Sequence, residues 1–313
     1  MTETLKEAVR AHWEADPCGS RLADAEPGSR EFFDQVEAER YRLEPFIPSF
    51  AEFDRWRGKH VLEIGVGLGT DFVRFARAGA KVTGIDLTEA AAALVRKRLA
   101  LEGLDGDVQA ADAEALPFED GSFDLVYSWG VLHHTPNTER ALDEVKRVLA
   151  ARGEARIMLY SRRSWFALGV WGKTALLRGK PWRSFTDVLA EHVESPGTKA
   201  YARRELDELF SSFSDVRYCR FVTPYDRRVA GPLTRLAGDS LGWFVGIGAR
   251  VEGLGEEVEV HALRGEADYG SAEKIVSHRK ARSGSALLAS GSGSAKTALL
   301  SLRAPEEERS SSG

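Results

Sequence analysis

Cysteine is scarce in this chain, with two residues among 313. Cys18 and Cys219 can build neither the disulfide framework of a small secreted domain nor a cysteine-rich zinc site. The N-terminal segment is charged and amphipathic, and it lacks the apolar stretch of a signal peptide. We therefore expect reduced thiols and a cytoplasmic location.

Long apolar runs and a strong net charge are missing as well. No stretch approaches the roughly 18 apolar residues that a membrane-spanning helix needs. The formal net charge of −5 gives no general attraction for nucleic acid, so we expect no nucleic-acid partner. Metal-ligand spacings such as H-x-x-x-H do not occur, and the sequence predicts no bound metal.

Short apolar runs alternate with longer amphipathic runs from residue 60 onwards. This alternation is typical of βα units around a parallel sheet. The expected fold class is a doubly wound α/β domain with a mostly parallel seven-stranded sheet. The pattern predicts five parallel strands and a late pair of strands, at residues 60–64, 81–86, 107–112, 123–129, 154–160, 214–222 and 241–251.

Composition divides the chain into three regions. Residues 1–57 are helical and aromatic, and we expect them to form an N-terminal helical cap. Residues 58–265 are expected to form the α/β domain, with a helical insertion at 161–200 after the fifth strand. Residues 266–313 are rich in Ser, Gly and Ala, which predicts a disordered tail.

A glycine-rich loop follows the first strand, in the sequence VLEIGVGLGT. Of its three glycines, Gly65, Gly67 and Gly69, the third comes one residue too early for the G-x-G-x-x-G fingerprint of dinucleotide sites. The Lys-Ser/Thr pair of a P-loop is also missing. Glu63 would repel a pyrophosphate but can receive a cationic amine. The loop therefore indicates a phosphate-free, amine-bearing cofactor.

Three further motifs follow this loop: GIDLT, then ADAEALPFEDGSFDLVYSWGVLHHTPN, then a helix and a strand ending in RIMLY. Their order and spacing resemble the class I S-adenosyl-L-methionine (SAM)-dependent methyltransferases, in particular the small-molecule enzymes of the ubiquinone/menaquinone-biosynthesis type. The resemblance covers roughly residues 55–160 and the late strand pair. It implies a Rossmann-like methyltransferase fold, SAM as the cofactor, and a methyl transfer that releases S-adenosylhomocysteine (SAH).

Several positions acquire expected cofactor-binding roles from this resemblance. Asp86 ends the second strand, 21 residues after Gly65, where a carboxylate can accept both ribose hydroxyls, as it also does in NAD sites. The resemblance assigns Asp112 to the adenine amino group and the Ala113 N–H to a ring nitrogen, while carbonyls at the end of the fourth strand receive the methionine ammonium. The complete expected set is Glu63, Gly65, Gly67, Gly69, Asp86, Leu87, Asp112, Ala113, Ser128 and Trp129.

Three side chains are candidates for the chemistry. The SAM sulfonium is intrinsically reactive, so the protein has to position the acceptor and to deprotonate it if it is an acid. His133 and His134 follow the fourth strand, and either could be a general base or could simply buttress the loop. Tyr160 ends the fifth strand, where it either faces the acceptor or is an ordinary core aromatic.

Residues 161–183 combine three tryptophans with basic and aliphatic residues. We favour a mobile cap that lines an apolar acceptor pocket together with the N-terminal helices. The alternative is an interfacial helix that contacts a membrane surface. Composition alone predicts a small, largely apolar methyl acceptor as the partner. SWGV stands where nucleobase amino-group methyltransferases carry N-P-P-Y, which argues against methylation of nucleobase amino groups. The oligomeric state and the accepting atom stay open.

Two other functions remain compatible with the sequence. An NAD(P)-dependent oxidoreductase would use the same ribose-binding carboxylate. A SAM-binding subunit without transferase activity would retain the cofactor residues alone.

Overall fold

The structure is a computed structural model that describes residues 2–15 and 17–252. The expected tail at 266–313 lies outside the described residues. The helices are α1 Thr2–Ala15, α2 Arg30–Leu43, α3 Ile47–Ala51, α4 Thr70–Arg77, α5 Glu89–Glu102, α6 Thr138–Val148, α7 Trp165–Thr174, α8 Phe185–His192, α9 Arg203–Leu209, α10 Pro224–Ala230 and α11 Leu233–Ala237. The strands are β1 His60–Ile64, β2 Lys81–Asp86, β3 Asp107–Ala110, β4 Phe123–Trp129, β5 Leu149–Tyr160, β6 Ser214–Phe221 and β7 Phe244–Arg250.

The seven strands form one mixed sheet in the order β3-β2-β1-β4-β5-β7-β6. The first five are parallel, whereas β7 runs antiparallel to both of its neighbours. The strand order reverses between β1 and β4, and an open α/β sheet binds its ligand at such a switch point. The mostly parallel seven-stranded sheet expected from the sequence is thereby confirmed.

Helices cover both faces of the central strands. Val61 of β1 belongs to the hydrophobic layer that contains α3, α4, α5 and α7. Leu62 and Ile64 belong to the opposite layer, with α6 and α9. The nearly continuous apolar run of β1 reflects this burial on both sides.

The buried apolar stripe of Leu142, Val145, Val148 and Leu149 predicts a helix over 137–153, but the helix ends early. Helix α6 stops at Val148, and β5 begins at Leu149 instead of residue 154. Leu149 continues the buried helical stripe of the sequence, but its backbone is extended and pairs with Phe123. A helix and a strand would both bury the Leu149 side chain, so the apolar pattern does not distinguish them. In the structure, strand pairing takes the place of the last predicted helical turn. The third strand is also shorter than predicted and ends at Ala110.

The N-terminal helices pack against the glycine loop. Phe32, Phe33 and Val36 of α2 form a buried cluster with Leu68 of the loop. This contact places α2 beside the carboxyl edge of the sheet. Within residues 2–15 and 17–252, no helix is both long and apolar enough to cross a bilayer.

Candidate cofactor and active site

A pocket opens at the carboxyl ends of β1, β2 and β4, where the strand order reverses. Its wall includes ten of the thirteen residues singled out from the sequence, namely Glu63, Gly65, Gly67, Asp86, Leu87, Asp112, Ala113, Trp129, His134 and Tyr160. Gly69, Ser128 and His133 are not part of the wall. The pocket wall also contains residues that no motif indicated, among them Lys6, Trp13, Arg40, Asp71, Glu194 and Tyr225.

Two glycines of the loop have different structural reasons to be glycine. Gly65 has a φ of 81°, and a Cβ atom there would clash with the Val131 side chain. Gly67 has a φ of 52° but faces open space, so its backbone is exposed to the pocket. Gly69 instead directly precedes the first residue of α4, and a Cβ atom there would lie 3.0 Å from the Val95 side chain. Its role in the loop is therefore structural.

The carboxylate of Asp86 is held in one orientation by backbone and hydroxyl donors. Its Oδ2 atom accepts a hydrogen bond from the Gly67 N–H at 3.0 Å. Its Oδ1 atom accepts from the Thr88 N–H at 3.0 Å and from the Thr88 hydroxyl at 2.8 Å. A carboxylate has about four acceptor positions, so Asp86 retains capacity for ligand hydroxyls.

Asp112 is paired with the first helix. Lys6 of α1 donates to Asp112 Oδ2 at 2.5 Å and to Glu114 Oε2 at 3.1 Å. The Glu114 N–H donates to the other Asp112 oxygen at 2.9 Å. Helix α1 is thereby anchored across the ends of the strands, and Asp112 reaches the pocket as part of an ion pair. Lys6 is one of several lysines in the chain, and no spacing in the sequence identifies it.

Glu63 is a buried carboxylate with an unpartnered oxygen. Its side chain is buried, and Oε2 makes no hydrogen bond to the protein. Burial, together with the carboxylates of Asp71 and Asp86, raises the pKa of Glu63 well above the ordinary carboxyl range. An uncompensated buried acceptor is costly, and a cationic amine in the pocket would compensate it.

Arg40 lines the same pocket and has a hydrogen-bond donor without a partner. Its Nη2 atom donates to Asp71 at 3.2 Å, but its Nε–H has no partner. Asp71 is fixed by hydroxyl donors from Tyr41 and Tyr127, each at 2.9 Å. Glu63 and Arg40 thus both line the pocket, and each has one buried polar atom without a protein partner, a carboxylate oxygen and a guanidinium N–H. Their opposite charges together complement an α-amino acid.

Of the two predicted residues at the end of β4, Trp129 lines the pocket and Ser128 does not. Ser128 is fully buried and donates its hydroxyl to the Ile64 carbonyl at 3.1 Å. Trp129 lines the pocket, and its indole N–H donates to Glu44 at 3.0 Å. Ser128 thus ties β4 to β1, whereas Trp129 forms part of the wall.

His134 is oriented by two hydroxyl groups. Its Nδ1 atom lies 2.8 Å from Ser195 Oγ and 3.0 Å from Thr198 Oγ1. The Thr198 hydroxyl donates its own hydrogen to the Ser195 carbonyl at 2.7 Å. The tautomer protonated on Nδ1 lets Thr198 accept from His134 and leaves a lone pair on Nε2, whereas the tautomer protonated on Nε2 lets Ser195 donate to Nδ1.

Glu194 lies next to Nε2 of His134. Its Oε2 atom is 3.0 Å from His134 Nε2, without the alignment of a hydrogen bond. The Tyr160 hydroxyl lies 2.9 Å from each Glu194 oxygen. Burial and the Glu194 charge raise the pKa of Tyr160 well above its ordinary value, so the phenol stays protonated as a donor.

The backbone of Glu194 has a left-handed conformation, with a φ of 49°. Such a φ is uncommon for a side chain other than Gly, Asn or Asp, and it is retained only where the surroundings fix it. The sequence offered no sign of this residue, because Glu194 lies in an irregular segment between α8 and α9 without a motif.

His133 lies behind the pocket wall. It is fully buried, neither ring nitrogen has a partner, and its ring centroid is 3.7 Å from that of Tyr160. Burial, with the neighbouring His134 and Lys199, lowers the pKa of His133 well below its ordinary value. The donor atoms of His133, His134 and Glu194 lie within 4.8 Å of one another, a set of types that can ligate a divalent cation.

Of the insertion at 161–200, the tryptophan-containing segment 161–183 does not line the pocket, whereas Glu194 does. Within the described part of the chain, residues 161–193 contribute no side chain to the pocket wall. The wall on this side is made by Glu194 and by Tyr225 of α10. From α1, Val9 and Trp13 complete it, and the Trp13 ring lies 5.4 Å from that of His134.

The fold and the pocket together define a class of protein: a Rossmann-like domain with its ligand site at the switch point. Residues 62–157 match the family model described as a methyltransferase domain. This match supports the expected class I SAM-dependent methyltransferase, a family whose cofactor is SAM.

Two curated relatives are from Mycobacterium tuberculosis. An uncharacterized protein is 34% identical over 172 residues, which are 55% of this chain and 59% of the relative. The phthiotriol/phenolphthiotriol dimycocerosates methyltransferase is 43% identical over 98 residues, 31% of this chain and 36% of that protein. The chain thus spans less than two thirds of the length of each relative.

A solved structure shares the fold. It is a chain of the complex that contains the Haloferax volcanii Trm112 methyltransferase activator, with a TM-score of 0.55 and 14% identity. The match covers 79% of this chain and 99% of the other.

Proposed function

We propose that this protein transfers the methyl group of SAM to a small, largely apolar acceptor and releases SAH. The observation that carries the proposal is the pair of unsatisfied groups in one pocket. Glu63 offers an oxygen without a donor, and Arg40 offers an N–H without an acceptor. The amino-acid moiety of SAM carries an ammonium and a carboxylate, and it supplies both missing partners.

The remaining cofactor contacts follow from the strand ends. Asp86 is positioned to accept the ribose hydroxyls, because Gly67 and Thr88 fix its carboxylate toward the pocket. We keep Asp112 and Ala113 as the adenine-binding pair, with Lys6 neutralising the Asp112 charge. Leu87 and the loop glycines complete the wall.

His134 is the base that this geometry supports. When bound, SAM supplies an electrophilic methyl group whose transfer needs an acceptor atom with a free lone pair. His134 Nε2 takes the proton from the acceptor, since Nδ1 is occupied by Ser195 and Thr198. Glu194 at 3.0 Å then stabilises the resulting imidazolium. His133 supports this arrangement by stacking on Tyr160.

The acceptor class follows from the rest of the wall. Beyond the carboxylates, the pocket is lined by apolar and aromatic side chains, namely Val9, Trp13, Met158, Tyr225 and Phe244. These suit an apolar molecule with one ionisable group. A relative that acts on dimycocerosates, which are lipids, supports the same class. Transfer to O, N or C is compatible with the pocket, and His134 favours an acceptor that must lose a proton.

The regional assignments belong to the same proposal. Residues 1–57 act as a helical cap over the cofactor, residues 58–265 form the catalytic domain, and the compartment is the cytoplasm. We also propose that catalysis needs no metal, because the SAM sulfonium is itself an activated methyl donor and His134 supplies the base. Treatment with a chelator should leave turnover unchanged, and recovery of lost turnover by added Zn²⁺ would contradict this.

The decisive experiment measures ligand binding and product release on the same protein. Calorimetry with SAH and with NADH separates the methyltransferase from an NAD(P)-dependent oxidoreductase. An SAH-release assay with a panel of apolar hydroxylated and carbonyl-containing acceptors then identifies the substrate. Tight NADH binding without SAH binding would overturn the proposal. SAH binding with no methylation across the panel would indicate a non-catalytic SAM-binding subunit.

A further inference from the structure

Exposed large apolar side chains are concentrated in one part of the molecule. Of the eight such residues among those the structure describes, seven lie between residues 168 and 236. Leu177, Trp182 and Leu236 are the most exposed, at 82%, 77% and 85%. We call this set the apolar patch, and its members are Leu168, Leu176, Leu177, Trp182, Val229, Leu233 and Leu236.

The two chain segments that carry the patch pack against each other. Gly169 of α7 faces Val229 of α10 so closely that a Cβ atom at 169 would lie 2.6 Å from a Val229 methyl carbon. The Trp171 indole N–H donates to the Arg183 carbonyl at 2.9 Å, which holds the segment containing Trp182 against α7. Gly169 and Val229 are 60 residues apart in sequence, so distant segments of the chain meet at this surface.

The charge of this surface is opposite to that of the whole protein. Residues 165–183 contain four basic residues and no acidic residue, although the chain has a net charge of −5. Exposed cations accompany the apolar side chains, namely Lys173, Arg178, Lys180, Arg228 and Arg235. Leucine and tryptophan surrounded by Lys and Arg are the composition of an element that lies in a lipid headgroup region.

The patch adjoins the active-site wall. Tyr225, which lines the pocket, is on α10 with Val229. Its ring centroid lies 5.7 Å from that of Phe166 on α7. Two residues of the apolar patch, Leu168 and Val229, are therefore on the same two helices that support the acceptor side of the pocket.

We propose that the apolar patch docks on the surface of a bilayer containing anionic phospholipids. The leucines and Trp182 enter the boundary of the acyl chains, and the surrounding cations contact phosphate groups. The inference rests on the proposed function in one respect: an apolar acceptor dissolved in the bilayer would reach the pocket through this side. The docking itself requires neither cofactor nor turnover.

Vesicle flotation of the full chain tests the proposal. The probes are vesicles of phosphatidylcholine alone and of phosphatidylcholine with 30% phosphatidylglycerol. The variant Leu177→Gln/Trp182→Gln/Leu236→Gln removes the most exposed apolar groups without adding charge. Leu101→Gln, a substitution of an exposed leucine on α5, is the matched control. A second variant, Arg178→Gln/Lys180→Gln/Arg235→Gln, removes three cations.

We expect wild type and Leu101→Gln to bind the anionic vesicles at least tenfold more strongly than the neutral ones. Both triple variants should lose at least tenfold of that binding, and raised salt should weaken the wild type. Equal flotation of wild type and the apolar variant would overturn the proposal. So would a concentration-dependent dimer that the apolar variant abolishes, because the patch would then be covered by a second copy.

Calorimetry with SAH on the same variants keeps the two proposals distinguishable. Unchanged SAH affinity in both triple variants is expected, because no substituted residue lines the pocket. Failure of the docking proposal appears only with vesicles, whereas failure of the proposed function appears as missing SAH binding in wild type.

Discussion

The Nε2 atom of His134 lies 3.0 Å from Oε2 of Glu194, in the wall of the pocket that the predicted cofactor-binding residues line. The ring is held from its other side by Ser195 and Thr198, so Nε2 is the nitrogen left for proton transfer. The Tyr160 hydroxyl fixes the carboxylate in turn. This chain of contacts joins the segment after β4, the end of β5 and the segment after α8.

His134→Gln should reduce turnover by roughly 10²–10⁴-fold, the usual contribution of a positioned base, with SAH affinity changed less than about twofold. Glu194→Gln should reduce kcat less, because the base remains and only the stabilisation of its charged form is lost. Single-turnover methyl transfer and calorimetry measure the two quantities. His192→Gln, outside the pocket wall, is the control. Unchanged turnover in His134→Gln would return His134 to a buttressing role.

Glu63→Gln and Arg40→Gln should each weaken SAH binding by about 1.5–3 kcal/mol, the range for hydrogen bonds to charged groups. Both changes act on the amino-acid moiety alone. 5′-Methylthioadenosine lacks that moiety and should bind wild type and variants with equal affinity. Calorimetry with the two ligands makes the comparison. A parallel loss for both ligands would show that the substitutions disturb the pocket as a whole.

The stability of the cofactor-free protein should depend on pH through Glu63. Because its pKa is raised in the folded chain, the protonated form is favoured by folding. That contribution is complete below the ordinary carboxyl pKa and is lost as pH rises toward the folded-state value. The melting temperature of Glu63→Gln should therefore rise relative to that of wild type as pH increases. A difference in melting temperature that stays constant across pH would contradict the raised pKa.

Asp86→Ala should weaken SAH binding by about 1.5–3 kcal/mol through loss of the ribose acceptor. Unlike the two previous variants, it should weaken 5′-methylthioadenosine to the same extent, since that ligand retains the ribose. Asp86→Asn keeps one acceptor oxygen for the Gly67 or Thr88 donors and should have an intermediate affinity. Equal affinity of Asp86→Ala and wild type would refute the ribose role.

Gly65→Ala and Gly67→Ala should separate folding from binding. At Gly65 a Cβ atom adds a clash with Val131 to the cost of a positive φ; overpacking adds about 1–3 kcal/mol. At Gly67 the Cβ atom meets nothing, so stability should fall by the smaller backbone cost of about 1 kcal/mol while SAH binding weakens. Denaturant unfolding measures the stability of both variants, and calorimetry measures their SAH affinity. Val131→Ala should restore part of the stability lost in Gly65→Ala, and no recovery would exclude the clash.

The sequence determined the order and type of the central elements. Apolar runs of β1 to β5 alternate with amphipathic helices, and this periodicity is a local property that survives without knowledge of contacts. The spacing of the glycine loop and the positions of Asp86 and Asp112 at strand ends likewise predicted which edge of the sheet holds the pocket. The predicted end of the helix before β5 was wrong because Leu149 fits a buried helix and a buried strand equally well.

Tertiary structure alone decided which groups complete the site. Arg40, Glu194 and Lys6 belong to segments far from the motifs, and only the packing of α1, α2 and the segment after α8 brings them to the strand ends. The same packing separated His134 from His133, adjacent residues that the sequence could not distinguish. Long-range contacts carry no periodic signal, so a residue that acts through them is recognised only when the chain is folded.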